Sequence, residues 1–176
     1  AKDVFFAYRG YRMNYYAVTA MLARVYCWAG EYGNAYKEAK EVVDATYSTG
    51  STSTASCFNF SNSLTTNRKD YNSIIMTFFK STCYEDYLPY MTKGNDVVLV
   101  VNTTNLFGDE AGADDRNLDL FGDWDGGDIK YSFKYDIKEG TSGTDMIPAI
   151  RLSEMYYIMG EYFAYKDEFS KAGEML

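Results

Sequence analysis

The residues of this chain best suited to chemistry are carboxylates set beside an indole. They lie in "GDWDGGD", Gly122 to Asp128. An exposed Trp124 flanked by acids is what a sugar platform needs: pyranose C–H groups stack on the indole while Asp125 accepts hydroxyl hydrogen bonds. Trp124 folded back as a loop anchor is the plainer alternative. Asp123, Asp125 and Asp128 alternate as calcium ligands do, and Gly126 and Gly127 permit the turn. The closing Glu of an EF-hand loop is missing, so a solvated acidic loop is expected and no metal site is assigned. Paired carboxylates could also run glycoside hydrolysis. With 25 acidic residues some pair is always at hand, and no motif selects one. The chain has no histidine and no GxSxG elbow, which removes the commonest general base, the commonest transition-metal ligand and a recognisable nucleophile. No catalytic residue and no cofactor is therefore expected.

Cys27, Cys57 and Cys83 form no CxxC and no zinc-ligand cluster. Cys27 falls inside a helical pattern and reads as a small buried hydrophobe, while a Cys57–Cys83 bridge stays open. A net charge of −8 argues against a nucleic-acid partner or an anionic lipid surface, and leaves uncharged sugars and proteins as partners. No run of about 18 apolar residues is long enough to span a bilayer. The start, "AKDVFFAYRG", has no basic stretch followed by a long apolar one, so a signal peptide would have to lie upstream of Ala1. The 18 tyrosines are explained by amphipathic packing, and they would also serve a sugar platform.

Around these residues the pattern is helical from Arg12 to Ala45. Tyr15, Val18, Leu22, Val25, Tyr26 and Ala29 give one apolar face, Gly30 interrupts, and Tyr32, Ala35, Ala39, Val42 and Val43 give another. This predicts a helix, a tight turn and an antiparallel helix. Trp28, near the end of the first helix, is expected to pack. "TYSTGSTSTASCFNFSNSLTTN" reads as a loop, and Asp70 to Met91 as partly helical. "DVVLVV", Asp96 to Val101, reads as a buried strand and Ile129 to Asp136 as a further extended segment. "GDEAGADDRN" reads as an acidic loop, and Pro148 as sitting just inside the start of the last long helix. Arg151 and Glu154, three apart on that helix, are expected to pair or to secure neighbouring loops.

The last stretch repeats the first. Leu22, Tyr26, Tyr32 and Ala35 match Met159, Phe163, Phe169 and Ala172 at one constant offset, 159 − 22 = 137. The spacing is that of a tetratricopeptide hairpin, with Tyr156 at the tryptophan position and Thr19 as its counterpart. Small residues at Ala23/Gly160 and Ala35/Ala172 would let the helices approach closely. The second copy stops part-way through its second helix, so the chain is expected to be a fragment of a longer polypeptide.

Four stretches in order resemble the SusD/RagB family of outer-membrane nutrient-binding lipoproteins. They are "RMNYYAVTAMLARVYCWAGEYGNAYKEAKEVVDA", "NDVVLVV", "DDRNLDLF" with "KYSFKYD", and "IPAIRLSEMYYIMGE". The last is the most specific, through Ile147, Pro148, Ile150, Arg151, Leu152, Glu154 and Met155. Asp96 stands where the family usually has Glu, and Gly160 where it usually has Ala. The resemblance implies a mainly α fold of tetratricopeptide-like hairpins with inserted loops and a few short strands. The chain would then be a partial domain over 1–176, with a first hairpin at 12–45, a loop-rich insertion at 46–146 and a truncated second hairpin at 147–176. It also implies a non-catalytic cell-surface binder of oligosaccharide or another nutrient, which passes its ligand to a SusC-like TonB-dependent transporter. Such a protein meets the outer membrane only through a lipid anchor, here outside the chain. Trp124 and Asp125 are the candidate ligand residues. A tetratricopeptide-type scaffold for a protein partner, with no sugar ligand, is the competing reading. Scaffolds of that kind stack hairpins at a period of about 34 residues.

Overall fold

The computed structural model describes residues 9–50, 53–62, 64, 67–91, 98–123, 129–132, 134 and 146–176. Among them are seven α-helices and seven short strands. In chain order these are α1 (Tyr15–Trp28), α2 (Tyr32–Val43), β1 (Thr46–Ser48), β2 (Thr54–Ser56), β3 (Ile74–Phe79), α3 (Cys83–Met91) and β4 (Val100–Asn102). Then come α4 (Thr103–Phe107), α5 (Asp115–Leu120), β5 (Phe121–Asp123), β6 (Ile129–Ser132), β7 (Met146–Arg151), α6 (Leu152–Tyr165) and α7 (Phe169–Glu174). No helix among the described residues is long and apolar enough to cross a membrane. The chain divides into two compact units, one of Ala1–Phe60, Asn72–Phe78 and Pro148–Leu176, the other of Ser61–Tyr71 and Phe79–Ile147.

The first unit is built on two helical hairpins with the same turn. Asn14 starts α1 by accepting the Ala17 N–H at 2.9 Å. The helix ends at Gly30, whose φ of +75° is the left-handed cap that glycine adopts without strain. There the Glu31 N–H donates to the Tyr26 carbonyl and the Gly30 N–H to that of Cys27, at 2.9 and 3.0 Å. The turn recurs between α6 and α7, with Asp167 at φ +60° in the place of Gly30. Glu168 donates to Phe163 and Asp167 to Ala164, at 2.9 and 3.0 Å. The offset of 137 thus joins Tyr15 to Leu152, Gly30 to Asp167 and Tyr32 to Phe169, so the sequence repeat is a repeat of backbone conformation.

In this unit α1 packs on α2, α2 on α6 and α6 on α7. The core is Ala17, Ala20 and Ala23 of α1, Ala35, Ala39 and Val42 of α2, and Met155, Ile158 and Met159 of α6, with Ile75, Met76 and Ile150 beneath them. Alanine at these positions lets the helix axes come close. Tyr36 of α2 stacks on Tyr162 of α6 with ring centroids 4.5 Å apart and meets Phe163 edge-on at 5.4 Å. β3 pairs with β7, and the Thr46–Ser48 and Thr54–Ser56 strands form a small antiparallel ladder.

Several expectations need correction. The face of α1 that packs is the alanine face, while Tyr15, Val18, Leu22 and Val25 are exposed, as is Trp28. Periodicity located an apolar stripe, but α1 carries two. Pro148 lies in β7, and α6 begins only at Leu152. The residue before a proline prefers extended backbone, and a two-stranded ladder has outer edges where the missing N–H is harmless. Glu154 pairs with Arg24 of α1 rather than with Arg151, which ends β7. The Ser/Thr-rich loop contains β1 and β2, since Thr fits strands well. The acidic "GDEAGADDRN" loop gives way to helix from Asp115. The Asp70–Met91 segment is partly helical as expected, with a strand, β3, ahead of the helix α3. The "DVVLVV" strand begins at Val100; its residues Asp96 and Val97 lie outside the described residues.

Arg24 is the single charged residue of α1, and it is fully engaged. Its Nε and Nη2 donate to the two Glu154 carboxylate oxygens at 2.5 and 2.6 Å, and Nη2 also donates to the Ala149 carbonyl at 3.0 Å. The hydrogen bond to Glu154 raises the guanidinium pKa above its ordinary value. None of Cys27, Cys57 and Cys83 is in a disulfide, so the Cys57–Cys83 bridge left open by the sequence is not formed. Cys27 is half-buried and donates to Glu161 at 3.0 Å. Burial, then the Glu161 carboxylate, push its pKa up to about 11. That keeps it protonated at neutral pH, the opposite of what a nucleophilic cysteine needs.

Candidate functional site

In the second unit, β5 and β6 flank in sequence the acidic segment singled out above. β6 is the centre of a three-stranded antiparallel sheet in the order β4-β6-β5. Phe121 faces Ser132, Gly122 faces Tyr131 and Asp123 faces Lys130 across one ladder, while Val100, Val101 and Asn102 face Tyr131, Lys130 and Ile129 across the other. Residues 124–128 separate β5 from β6 in sequence. Trp124 and Asp125, the two candidate ligand residues, lie there and outside the described residues, as does Asp128 of the alternating acidic set. Asp123 is exposed at the end of β5.

At the open end of the β5–β6 hairpin is a pocket of about 250 Å³. Leu106, Phe107, Leu120 and Phe121 line it with apolar surface, and Arg116, Ser132 and Lys134 supply polar groups. Local sequence explains how these residues are held. Asn102 caps α4 by accepting the Asn105 N–H at 2.8 Å, and Asp114 caps α5 by accepting that of Arg116 at 2.8 Å. The Phe107 and Phe121 rings meet edge to face, 6.0 Å between centroids, and the Arg116 guanidinium stands 5.3 Å from the Phe107 centroid. Asp114 also accepts from Arg116 Nη2 at 2.6 Å. That guanidinium holds the Asp114 carboxyl below the usual carboxylate range. The fixed planar cation and two phenyl rings can take an uncharged ring ligand, with C–H groups against the phenyls and hydroxyls toward Arg116 and Ser132. Among the described residues no group of three potential metal ligands comes together.

Gly122 sets the width of the hairpin. A Cβ built there would lie 2.8 Å from the Tyr131 ring, so the tyrosine covers the glycine across the ladder. Replacing Gly122 with alanine is expected to displace Tyr131 and lower the stability of this sheet by about 1–3 kcal/mol. Loss of the cross-strand amide contacts between Gly122 and Tyr131 in an NMR spectrum would register it; unchanged contacts and stability would refute the account.

In the sequence, "DDRNLDLF" stands out only through the family resemblance, which gives no ligand role to Arg116 or Phe121. The Asp-x-Arg spacing at a helix start was the available signal. Phe107 and Ser132 reach the pocket only through tertiary folding. Lys69, buried and donating to the Met146 carbonyl at 3.1 Å, was equally invisible.

No family model and no curated protein matches the chain. Solved structures do. A SusD superfamily protein from Bacteroides thetaiotaomicron VPI-5482 matches with a TM-score of 0.59 and 20% identity, covering 92% of this chain and 39% of that one. A Bacteroides vulgatus ATCC 8482 protein, named for an inferred sugar-binding role, matches with a TM-score of 0.58 and 21% identity, covering 92% and 37%. The chain therefore spans well under half the length of either structure. At such identity the likeness bears on fold alone: the fold of this chain is similar to that of part of a SusD superfamily structure.

Proposed function

We propose that this chain is part of a non-catalytic cell-surface protein that binds oligosaccharide and hands it to a SusC-like TonB-dependent outer-membrane transporter. The observation that carries the reading is the SusD-superfamily likeness over 92% of the chain. The order of the four family-like stretches supports it, as does the acidic charge, which leaves an uncharged ligand unopposed. The whole protein would be held at the outer membrane by a lipid anchor outside these residues. The two hairpins belong to a tetratricopeptide-like superhelix interrupted by the 46–146 insertion, within one SusD-like domain. In support, the Gly30 and Asp167 turns share one geometry and each helix packs on the next. The 137-residue offset disfavours a plain repeat scaffold, whose hairpins would follow one another directly. Sugar contacts are assigned to the β5–β6 hairpin, from Trp124 and Asp125 at one end or Phe107 and Phe121 at the other.

The test is a neutral-oligosaccharide array probed with the native gene product, alongside Trp124→Ala and Phe121→Ala variants. Retention of at least one neutral glycan, weakened about tenfold by one of the substitutions, is the expected result, since an aromatic contact is worth roughly 0.5–1.5 kcal/mol. Absence of binding to any glycan, with no TonB-dependent barrel co-purifying from detergent extracts, overturns the reading.

A further inference from the structure

We infer that the pocket lined by Phe107, Arg116, Phe121 and Lys134 selects an acidic sugar, one hexuronate unit at the end or on a branch of an otherwise neutral oligosaccharide. The inference rests on the oligosaccharide reading above and adds the charge and size of the unit bound. The chain carries 25 acidic and 17 basic residues, for a net charge of −8. Against that balance, the residues lining this pocket include two cations, Arg116 and Lys134, and no acid. Apart from Ser132 the rest of the lining is apolar. A cationic side of a small pocket with apolar walls focuses an attractive field on a bound anion.

Each part of such a unit has a counterpart. The volume of about 250 Å³ falls below the roughly 300–1,000 Å³ of sites for drug-sized ligands, so one ring enters and the rest of the glycan stays outside. The Phe107 and Phe121 rings, edge to face at 6.0 Å, give that ring aromatic surface for its C–H groups. Its carboxylate meets a cation whose place is already set. Asp114 accepts from Arg116 Nε at 3.0 Å and from Nη2 at 2.6 Å, and the guanidinium stands 5.3 Å from the Phe107 centroid. A side chain held in this way loses little freedom when a ligand arrives. A ring without the carboxylate would take water from two cations and return no charge to them. The net charge of the whole chain opposes a polyanion, which is why the acid is one unit of a mostly neutral glycan.

The test presents the native gene product with oligosaccharides ending in glucuronate or galacturonate, each beside its glucose or galactose counterpart, and titrates the pairs that are retained. The acidic member should bind about tenfold more tightly, because hydrogen bonds to a charged partner are the stronger ones. Raising the salt should shrink that advantage. Lys134→Gln and Arg116→Gln should each remove most of it. The acid-to-neutral comparison is made on the unaltered protein and holds whether or not a variant folds. Equal affinity for both members overturns the inference and leaves the oligosaccharide reading standing, as does retention of neutral glycans alone. An advantage that survives in both folded variants, or that a sulfate ester in place of the carboxylate reproduces, overturns it too. Retention of no glycan of either kind overturns the oligosaccharide reading itself, and this inference with it.

Discussion

Arg24→Ala is expected to lower the stability of the helical unit by about 1–3 kcal/mol. Breaking a buried pair by deleting one partner costs roughly 3–5 kcal/mol. The Arg24 and Glu154 side chains retain 36% and 30% exposure, so water recovers part of that. The loss remains substantial because three hydrogen bonds go together and two of them form a planar fork on one carboxylate. Arg24→Lys should recover less than half of the difference, since an ammonium cannot span both carboxylate oxygens. Urea unfolding followed by far-ultraviolet circular dichroism gives the comparison. The double change Arg24→Ala/Glu154→Ala should cost less than the two single changes added together, because the second no longer strands a charge. Strict additivity would mean that the pair contributes nothing of its own.

A larger loss, about 3 kcal/mol or more, is expected from Ala35→Leu. Ala35 is fully buried in the core shared by α1, α2 and α6, where alanine allows the helices to approach. Leucine must either push α2 outward or take a strained rotamer. The contrasting change is Gly160→Ala. A methyl group there would lie 3.5 Å from the Ala172 carbonyl oxygen and 3.6 Å from the Met175 Cβ, ordinary contacts. Alanine also gains up to about 1 kcal/mol of helix propensity over glycine. Gly160→Ala should therefore be neutral or stabilising. If both substitutions shifted the urea midpoint alike, small-residue packing would not be what holds this interface.

The long helices α1, α2 and α6 are the most legible part of the sequence, because a period near 3.6 persists for about a dozen residues in each. The repeat was legible too: the constant offset appears again as matched turns at Gly30 and Asp167. What periodicity could not rank was two apolar faces on one helix. Val18, Leu22 and Val25 outweighed Ala17, Ala20 and Ala23 on any hydrophobicity scale, yet tight helix packing selects small side chains. The Arg24–Glu154 pair spans 130 residues and no local spacing could announce it. Pro148 was read by a helix-start rule, whereas its backbone preference suits an edge strand equally well. At the candidate site, Trp124 and Asp125 were chosen by residue chemistry alone, and they lie outside the described residues. The pocket's Phe107, Arg116 and Phe121 come from two helices and a strand, and tertiary structure alone brings them together.

The contact between α2 and α6 has a cost in time. Val43 ends one helix and Leu152 begins the other, with roughly a hundred residues between them. At about 5–20 residues per second, a ribosome needs on the order of 5–20 s to deliver the second after the first. Throughout that interval the face that α2 presents to α6 is uncovered. A nascent chain in that state is a substrate for holdase chaperones, and a translational pause within the insertion would lengthen its exposure to aggregation.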